Sequence, residues 1–248
     1  QSKSVLYPKV AYPTYLVGAL MASAQAIPVD IDATSWPKAD LAWLNSPANP
    51  TGQVQSKDEL LAAINWARKN NAILASDECY LSFVKDAKSI LALAGGDNTG
   101  LIAVHSLSKR SNLAGYRAAF IIGDSKLIDQ IKQIRKHAGL MVPSPVQAAM
   151  IAALSDDDHA QEQAQRYYAR GIKLKDALIK AGFTIQHSQA GLYIWCTKGE
   201  DGFKTVDYFA DLGILVTPGS FYGSSKFVRI ALTATDENID KAVERIAG

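Results

Sequence analysis

Short apolar runs alternate with amphipathic stretches from the start of the chain to about residue 154, and this alternation predicts an α/β fold class. The runs are continuously apolar, which is typical of a parallel sheet whose two faces are covered by helices. We therefore expect residues 1–154 to form a large three-layer α/β/α domain with a mostly parallel sheet. The predicted strands are Val5–Tyr7, Leu41–Asn45, Ala72–Ser76, Leu101–Ser106 and Ala119–Ile122.

Two helices of this domain have clear sequence signals. Ser56 and Glu59 form a capping-box pattern, in which each side chain accepts a hydrogen bond from the other residue's backbone at the start of a helix. After Asp124, apolar residues recur at helical spacing, which predicts an amphipathic helix with one apolar stripe. The stripe comprises Leu127, Ile128, Ile131 and Ile134.

Residues 155–248 mix strands with helices without strict alternation, and they predict a smaller C-terminal α+β domain. The acidic residues at 156–158 favour a helix start through the macrodipole, and we expect this helix to end near Gly182. The other predicted elements are strands Phe183–Gln186, Leu192–Cys196, Ile214–Val216 and Phe227–Leu232, and helices near Lys204–Leu212 and from Asp236.

The composition excludes several classes of protein. Apolar residues make up 48% and charged residues 20% of the 248 residues, so we expect a globular chain. The net charge of +2 gives no reason to expect binding to nucleic acid or a membrane surface, and no apolar run is long enough to span a bilayer. Cys79 and Cys196 are far apart in the sequence, which predicts no disulfide, no metal site and a reducing, cytoplasmic location.

Polar residues follow two of the predicted strands. Asn49 lies in a loop rich in turn signals, and its amide is a candidate for the cleft at the carboxyl edge of the sheet; an ordinary connecting loop is the alternative. Asp77 directly follows the next predicted strand, where it caps a helix or pairs with a protonated ring nitrogen of a cofactor. Tyr80 follows three residues later and could donate its hydroxyl to a phenolate oxygen.

A third segment, residues 106–117, combines an amine with phosphate-binding side chains. Lys109 is flanked by Ser106 and Ser108, and Arg117 follows eight residues after it. Hydroxyls and a guanidinium suit a phosphate, the guanidinium through two parallel hydrogen bonds. A solvated lysine is the alternative, and we expect the neighbouring Arg110 to be a solvated charge.

A fourth segment places Arg229 inside the apolar strand Phe227–Leu232. A buried charge without a partner is costly, so this guanidinium needs either a structural salt bridge or a ligand. The pattern leaves both alternatives open, and the ligand would be a substrate carboxylate.

In this order the segments resemble the class I/II aminotransferases of fold type I, which use pyridoxal 5'-phosphate, and most closely the actinobacterial N-succinyldiaminopimelate aminotransferases. The resemblance covers essentially the whole chain. The matching runs are YPTY (Tyr12–Tyr15), NPTG (Asn49–Gly52), DECY (Asp77–Tyr80), SLSKRSNLAGYR (Ser106–Arg117), GLYIW (Gly191–Trp195), PGSFYG (Pro218–Gly223) and FVRIAL (Phe227–Leu232).

The resemblance implies a chemical role for five residues. Lys109 would hold the cofactor as a Schiff base and move the proton between Cα of the amino acid and C4′ of the cofactor. Asp77 would pair with the pyridine nitrogen, while Asn49 and Tyr80 would hydrogen-bond the cofactor's O3′. Arg229 would bind the α-carboxylate of the amino acid, with Asn49 beside the substrate.

The remaining implied contacts are with the phosphate and the ring of pyridoxal phosphate. Ser106, Ser108 and Arg117 would bind the phosphate. Tyr12 occupies the position of the aromatic residue that stacks on the pyridine ring, and packing next to Pro13 is the alternative. The segment that precedes Tyr12 in the family, with a glycine-containing phosphate loop, is not found in this sequence. Because the chain also lacks an initiator Met, we expect it to begin part-way into a longer protein.

The implied reaction is transfer of an amino group between N-succinyl-LL-diaminopimelate, in lysine biosynthesis, and 2-oxoglutarate, by a homodimer with shared active sites. A pyridoxal-phosphate carbon–sulfur β-lyase is the alternative within enzymes, and an aminotransferase-like sensor domain of a transcription regulator is the alternative outside them. A metal hydrolase and a Ser-His-Asp enzyme are not expected, because the four histidines show no ligand spacing and no GxSxG occurs.

Overall fold

The computed structural model describes residues 3–248, which separate into two compact units. The first contains the chain up to Pro8, Tyr15–Ser46 and Gln55–Gln161. The second contains Lys9–Thr14, Pro47–Val54 and Glu162–Gly248. The division into domains at residues 154 and 155 stays a prediction.

A six-stranded sheet forms the centre of the first unit, in the order β2-β1-β3-β4-β5-β6. The first five strands run parallel, and β6 pairs antiparallel with β5. The expected α/β class with a mostly parallel sheet is therefore confirmed. The strands are β1 (Ser4–Pro8), β2 (Gln25–Val29), β3 (Leu41–Asn45), β4 (Ile73–Asp77), β5 (Leu101–Ser106) and β6 (Ala119–Gly123).

Strand β2 was not expected from the sequence. Its residues, QAIPV, begin with a polar side chain and include Pro28, so they form no continuous apolar run. Because β2 lies at the edge of the sheet, a proline that cannot donate to a ladder is tolerated there. Leu6 of β1 pairs with Ile27 of β2. This pairing, more than the composition of residues 25–29, makes the segment a strand.

The helices of the first unit connect these strands, and α2 begins as the sequence predicts. Ser56 Oγ accepts a hydrogen bond from the Glu59 N–H at 3.3 Å, and Glu59 Oε2 accepts one from the Ser56 N–H at 2.7 Å. Leu60 and Ile64 of α2 are buried in the core. The helices are α1 (Thr14–Met21), α2 (Lys57–Asn70), α3 (Ile90–Leu93), α4 (Leu107–Arg110), α5 (Ser125–His137) and α6 (Ser144–Leu154); the N-terminal end of α7 (Asp158–Lys180) belongs to this unit as well.

The predicted apolar stripe of α5 is present but is not buried by the described residues. Ile128 and Ile131 line an open groove of about 710 Å³ that β6 and α6 also border. Ile134, at the end of the stripe, is 68% exposed. The periodicity therefore correctly predicted the helix and its apolar face, but not a covered core position.

The second unit is built on an antiparallel four-stranded sheet in the order β7-β8-β10-β9, with most of α7 and two further helices. The expected α+β composition of this part is thus observed. The strands are β7 (Thr184–Ile185), β8 (Tyr193–Thr197), β9 (Thr217–Pro218) and β10 (Val228–Ala231), and the helices are α8 (Gly202–Asp211) and α9 (Asp236–Ala247).

The strand predicted at Ile214–Val216 is wrong. The chain leaves α8 through Gly213, which has a positive φ of 67°, and Leu215 is 97% exposed. Pairing with β10 begins only at Thr217, opposite Arg229. The apolar run therefore forms the connection before β9, because backbone pairing starts later than the apolar composition does. Among residues 3–248, no helix combines the length and the apolar character that crossing a bilayer requires.

Candidate active site

The carboxyl ends of three parallel strands meet at one edge of the first unit's sheet. Asn45 at the end of β3 is in register with Asp77 at the end of β4, and Asp77 is in register with Val104 of β5. The Asn45 amide donates a hydrogen bond to the Asp77 carbonyl oxygen at 3.0 Å. Crevices at this edge are where open α/β sheets bind ligands. Lys109 lies in the short helix α4, which begins just after the end of β5.

Both oxygens of the Asp77 carboxylate accept a hydrogen bond. The Tyr15 hydroxyl donates to Oδ2 at 2.7 Å, and the Cys79 backbone N–H donates to Oδ1 at 3.1 Å. Burial and the nearby Asp77 charge raise the pKa of the Tyr15 hydroxyl, and the same causes raise the pKa of the Cys79 thiol. Tyr15 and Cys79 are therefore neutral at physiological pH.

Tyr80 is buried, with 8% of its surface exposed, at the start of a short 3-10 turn. Its ring lies 6.5 Å from that of Phe83, measured between centroids. The neighbouring His105 has a structural environment, because its ring stacks on Phe120 and its Nε2 lies 3.3 Å from the buried Glu78 carboxylate.

Lys109 lies in α4, which begins directly after β5. Ser106 caps the short helix by accepting a hydrogen bond from the Ser108 N–H at 3.1 Å, and its hydroxyl donates to the Ala118 carbonyl at 3.4 Å. Lys109 is half-buried, and its ammonium forms no hydrogen bond or ion pair with any residue that the structure describes. A half-buried amine without a partner is available for a ligand.

Arg117 and Arg110 differ in how their guanidinium groups are used. Arg117 is exposed, has a left-handed backbone (φ 55°) and, within the described part of the chain, donates only to the Ala114 carbonyl, at 3.1 Å. Arg110 is 15% exposed and donates to the Ala153 carbonyl at 2.8 Å, to Ser111 and to Asp157. The expectation that Arg110 is a solvated charge is wrong, because these acceptors bind its guanidinium to the chain segment ahead of α7.

In the second unit, Arg229 on β10 donates from Nη1 to the Asn49 side-chain oxygen at 2.9 Å. Its Nε is buried without a hydrogen-bond partner, and no carboxylate among the described residues pairs with this guanidinium. Asn49 is buried and is joined to Pro50 by a cis peptide bond. The structural salt bridge that the sequence left open is therefore not formed within residues 3–248.

Two tyrosines enclose the Arg229 guanidinium. Its Cζ lies 4.2 Å from the ring centroid of Tyr193 and 4.9 Å from that of Tyr222. Aromatic faces attract a cation and at the same time exclude water from it. Tyr12 is 48% exposed, and the adjacent Ala11 N–H donates to the Tyr222 carbonyl at 3.1 Å. Burial raises the pKa of the Tyr222 hydroxyl although the nearby Arg229 opposes this shift.

The glycine of the NPTG run is required by its backbone and by its surroundings. Gly52 has a φ of 65°, and a Cβ on it would lie 2.9 Å from the Ala190 carbonyl oxygen. We expect Gly52→Ala to lower the free energy of unfolding by roughly 1–3 kcal/mol, measured by chemical denaturation. The control is Gly18→Ala in α1, where a Cβ meets nothing within 4 Å and the helix should become slightly more stable. Equal free energies of unfolding for the two variants would contradict the claim that position 52 requires glycine.

Sequence reasoning assigned no role to Tyr15, Tyr193 or Tyr222, although all three lie next to candidate residues. Signals were present, since these tyrosines belong to the runs YPTY, GLYIW and PGSFYG. The partners of their side chains could not be identified from local patterns. Tyr15 and Asp77, for example, are 62 residues apart in the sequence.

A parallel sheet with a carboxylate and an unpartnered lysine beyond its carboxyl edge is the arrangement of an enzyme that binds a carbonyl cofactor through an amine. Comparison with known families agrees with this class. The chain belongs to the family described as aminotransferase class I and II, whose model matches residues 2–246. Members of this family are pyridoxal-phosphate-dependent transaminases.

Relatives and solved structures agree with that membership. A 4-dedimethylamino-4-oxo-anhydrotetracycline transaminase of Streptomyces rimosus is 49% identical over 98% of this chain, and a probable aminotransferase of Mycobacterium tuberculosis is 48% identical over 98%. The chain spans 70% and 60% of the lengths of these two relatives. The structure of a probable N-succinyldiaminopimelate aminotransferase from Thermus thermophilus is 28% identical, with a TM-score of 0.91 over 99% of this chain and 71% of its own.

The residues of the first unit fit pyridoxal phosphate. The Lys109 amine has no partner among the described residues, as an amine that attaches to the cofactor's aldehyde requires. The Asp77 carboxylate, with one donor on each oxygen, retains lone pairs for a protonated ring nitrogen. Arg117 uses one donor on the Ala114 carbonyl, so most of its donors are available to a phosphate.

Proposed function

We propose that the protein is an aminotransferase that moves an amino group between N-succinyl-LL-diaminopimelate and 2-oxoglutarate. The observation that carries the proposal is Arg229, a partly buried cation with no carboxylate partner in residues 3–248 and with an unsatisfied Nε. A planar guanidinium of this kind binds a carboxylate through two parallel hydrogen bonds. Every α-amino acid and every 2-oxo acid carries such a carboxylate.

In this proposal, the cofactor supplies an electron sink that stabilises negative charge at Cα of the amino acid. Lys109 holds the cofactor and then moves the proton between Cα and C4′. Asp77 keeps the ring nitrogen protonated, and Asn49 and Tyr80 hydrogen-bond the phenolate oxygen O3′. Arg229 orients the substrate through its α-carboxylate, and Asn49 fixes the position of that guanidinium.

The phosphate and ring contacts complete the proposal. Ser106 and Ser108 lie at the start of α4, and Arg117 adds a guanidinium with available donors. Tyr12, which is 48% exposed, has the free ring surface that stacking on a pyridine ring needs. We also propose that the protein works in the cytoplasm as a homodimer with shared active sites.

The substrate proposal is supported by the resemblance of the sequence and by the name of the Thermus structure. The Streptomyces relative supports a second candidate, since a protein with 49% identity acts, by its name, on an oxo-anhydrotetracycline. The two candidates differ in whether the amino group goes to a 2-oxo acid or to a ring ketone.

An assay with defined donors and acceptors separates these reactions. We expect the full-length protein to form glutamate from N-succinyl-LL-diaminopimelate and 2-oxoglutarate. Pyruvate and ammonia without glutamate, from a cysteine conjugate, would indicate the carbon–sulfur β-lyase instead. Amination of the oxo-anhydrotetracycline with no turnover of N-succinyl-LL-diaminopimelate would replace the first substrate by the second. A DNA-binding domain in the residues that precede Gln1 in the full-length protein would favour the sensor domain of a transcription regulator.

Replacing Arg229 by leucine tests the carboxylate contact. We expect Arg229→Leu to raise KM for the amino donor by roughly a hundredfold, because a charge-assisted bidentate contact is lost, while the bound cofactor keeps its yellow colour. Steady-state kinetics and absorption spectra measure the two effects. The matched control is Arg166→Leu on α7, whose exposed guanidinium pairs with Glu162. An unchanged KM for the amino donor in Arg229→Leu would mean that Arg229 has a structural role and does not bind the substrate carboxylate.

A further inference from the structure

Neither the sequence nor the proposed function provides a role for the hydrogen bond between Tyr15 and Asp77 in the first unit. The Tyr15 hydroxyl lies 2.7 Å from Asp77 Oδ2. We propose that Tyr15 is a positioning residue, which holds the Asp77 carboxylate in the orientation that pairs with the ring nitrogen of the cofactor. This inference rests on the proposed function, because it presupposes that pyridoxal phosphate binds beside Asp77.

The carboxylate needs such a support because its last torsion is soft. The χ2 rotation of an aspartate is broad and roughly two-fold, so the backbone alone does not fix the plane of the oxygens. The Cys79 N–H holds Oδ1 at 3.1 Å, and Tyr15 holds Oδ2. With a donor on each oxygen, the plane is fixed, and the remaining lone pairs point in defined directions.

Tyr15 is itself held rigidly. It is 5% exposed near the start of α1, and its ring lies 5.2 Å from that of Trp43 on β3, measured between centroids. A buried aromatic ring with two torsions has little freedom to lose on making a hydrogen bond. The hydroxyl is therefore presented to Asp77 by the packing of α1 against the sheet strand β3.

The hydroxyl acts only as a donor to this carboxylate. Desolvation, and then the charge of Asp77, raise the pKa of Tyr15, so the phenol stays protonated over the working pH range. Because the phenol keeps its proton, it donates to Asp77 Oδ2 throughout this range. Tyr15 thus supports the orientation of the Asp77 carboxylate, which is needed for a straight hydrogen bond to a protonated ring nitrogen.

The test is Tyr15→Phe in the full-length holoenzyme, which keeps the ring and removes only the oxygen. We expect kcat to fall about tenfold with little change in KM, since a hydrogen bond to a charged group is lost without a change in the substrate contacts. A second measurement does not depend on turnover, namely the pH titration of the visible absorption of the bound cofactor. A weaker pairing leaves less positive charge on the ring nitrogen. The midpoint of this titration should therefore rise by roughly half a pH unit or more, which corresponds to the free energy of about one lost hydrogen bond.

Tyr168→Phe is the matched control, because that tyrosine is 73% exposed on α7, and neither measurement should change. A Tyr15→Phe variant that loses thermal stability but keeps the wild-type titration midpoint and kcat would overturn the inference and leave Tyr15 a core residue. Wild-type protein without any cofactor absorption would instead refute the proposed function, so the two failures are distinguishable.

A double-mutant cycle shows whether Tyr15 acts through Asp77. If it does, adding Tyr15→Phe to Asp77→Asn changes the cofactor titration much less than Tyr15→Phe does alone. Equal shifts in both backgrounds would mean that Tyr15 affects the cofactor independently of Asp77, and the positioning role would be rejected.

Discussion

Lys109→Ala is expected to abolish covalent attachment of pyridoxal phosphate and to lower the transamination rate by at least about a thousandfold, since the variant loses both the attaching amine and the proton carrier. Borohydride reduction followed by peptide mass spectrometry measures the first effect. In the wild-type protein, the reduced cofactor should be found on the peptide that contains Lys109. The physical basis is an amine that is half-buried and has no partner among the residues the structure describes.

Lys57→Ala is the control for this substitution, because Lys57 lies exposed at the start of α2, and its loss should leave the labelled peptide unchanged. If borohydride still links the cofactor covalently to the Lys109→Ala variant, another amine forms the attachment. The assignment of Lys109 would then be wrong, whatever the residual activity.

Asp77→Asn is expected to lower kcat by roughly a hundredfold to a thousandfold, because an amide cannot neutralise a protonated ring nitrogen, and breaking a partly buried charge pair costs about 3–5 kcal/mol. The fold should persist, since an asparagine side chain can still accept the Tyr15 hydroxyl or the Cys79 N–H through its oxygen. Single-turnover kinetics with a saturating amino donor measure the loss in the chemical step, and thermal unfolding checks the fold.

Two further variants qualify the result for Asp77. Asp77→Glu keeps the negative charge and should retain more activity than Asp77→Asn, although its longer side chain misplaces the oxygens. Asp129→Asn on α5 removes an exposed carboxylate and should behave as the wild type. If Asp77→Asn and Asp129→Asn had equal rates, Asp77 would have no electrostatic role in the reaction.

Local patterns predicted most of the backbone because they report on burial and on helix ends. Continuous apolar runs correctly located β3 and β5, and the Ser56 and Glu59 pattern located the first turn of α2. The same reasoning failed at Ile214–Val216, where apolar composition was present but backbone pairing was not. It also failed at β2, where pairing was present without an apolar run.

The sequence by itself determined the fold class and the family, along with the order of the candidate residues along the chain. Only the tertiary structure decided which polar groups are partners. Asn49 and Arg229 are 180 residues apart, and Tyr15 and Asp77 are 62 apart, yet each pair is joined by a hydrogen bond. Arg110, expected to be solvated, is instead bound to backbone acceptors 43 and 46 residues away. The reason is physical: periodicity records whether a position is buried, whereas the partner of a buried polar group is set by long-range packing that local residues do not encode.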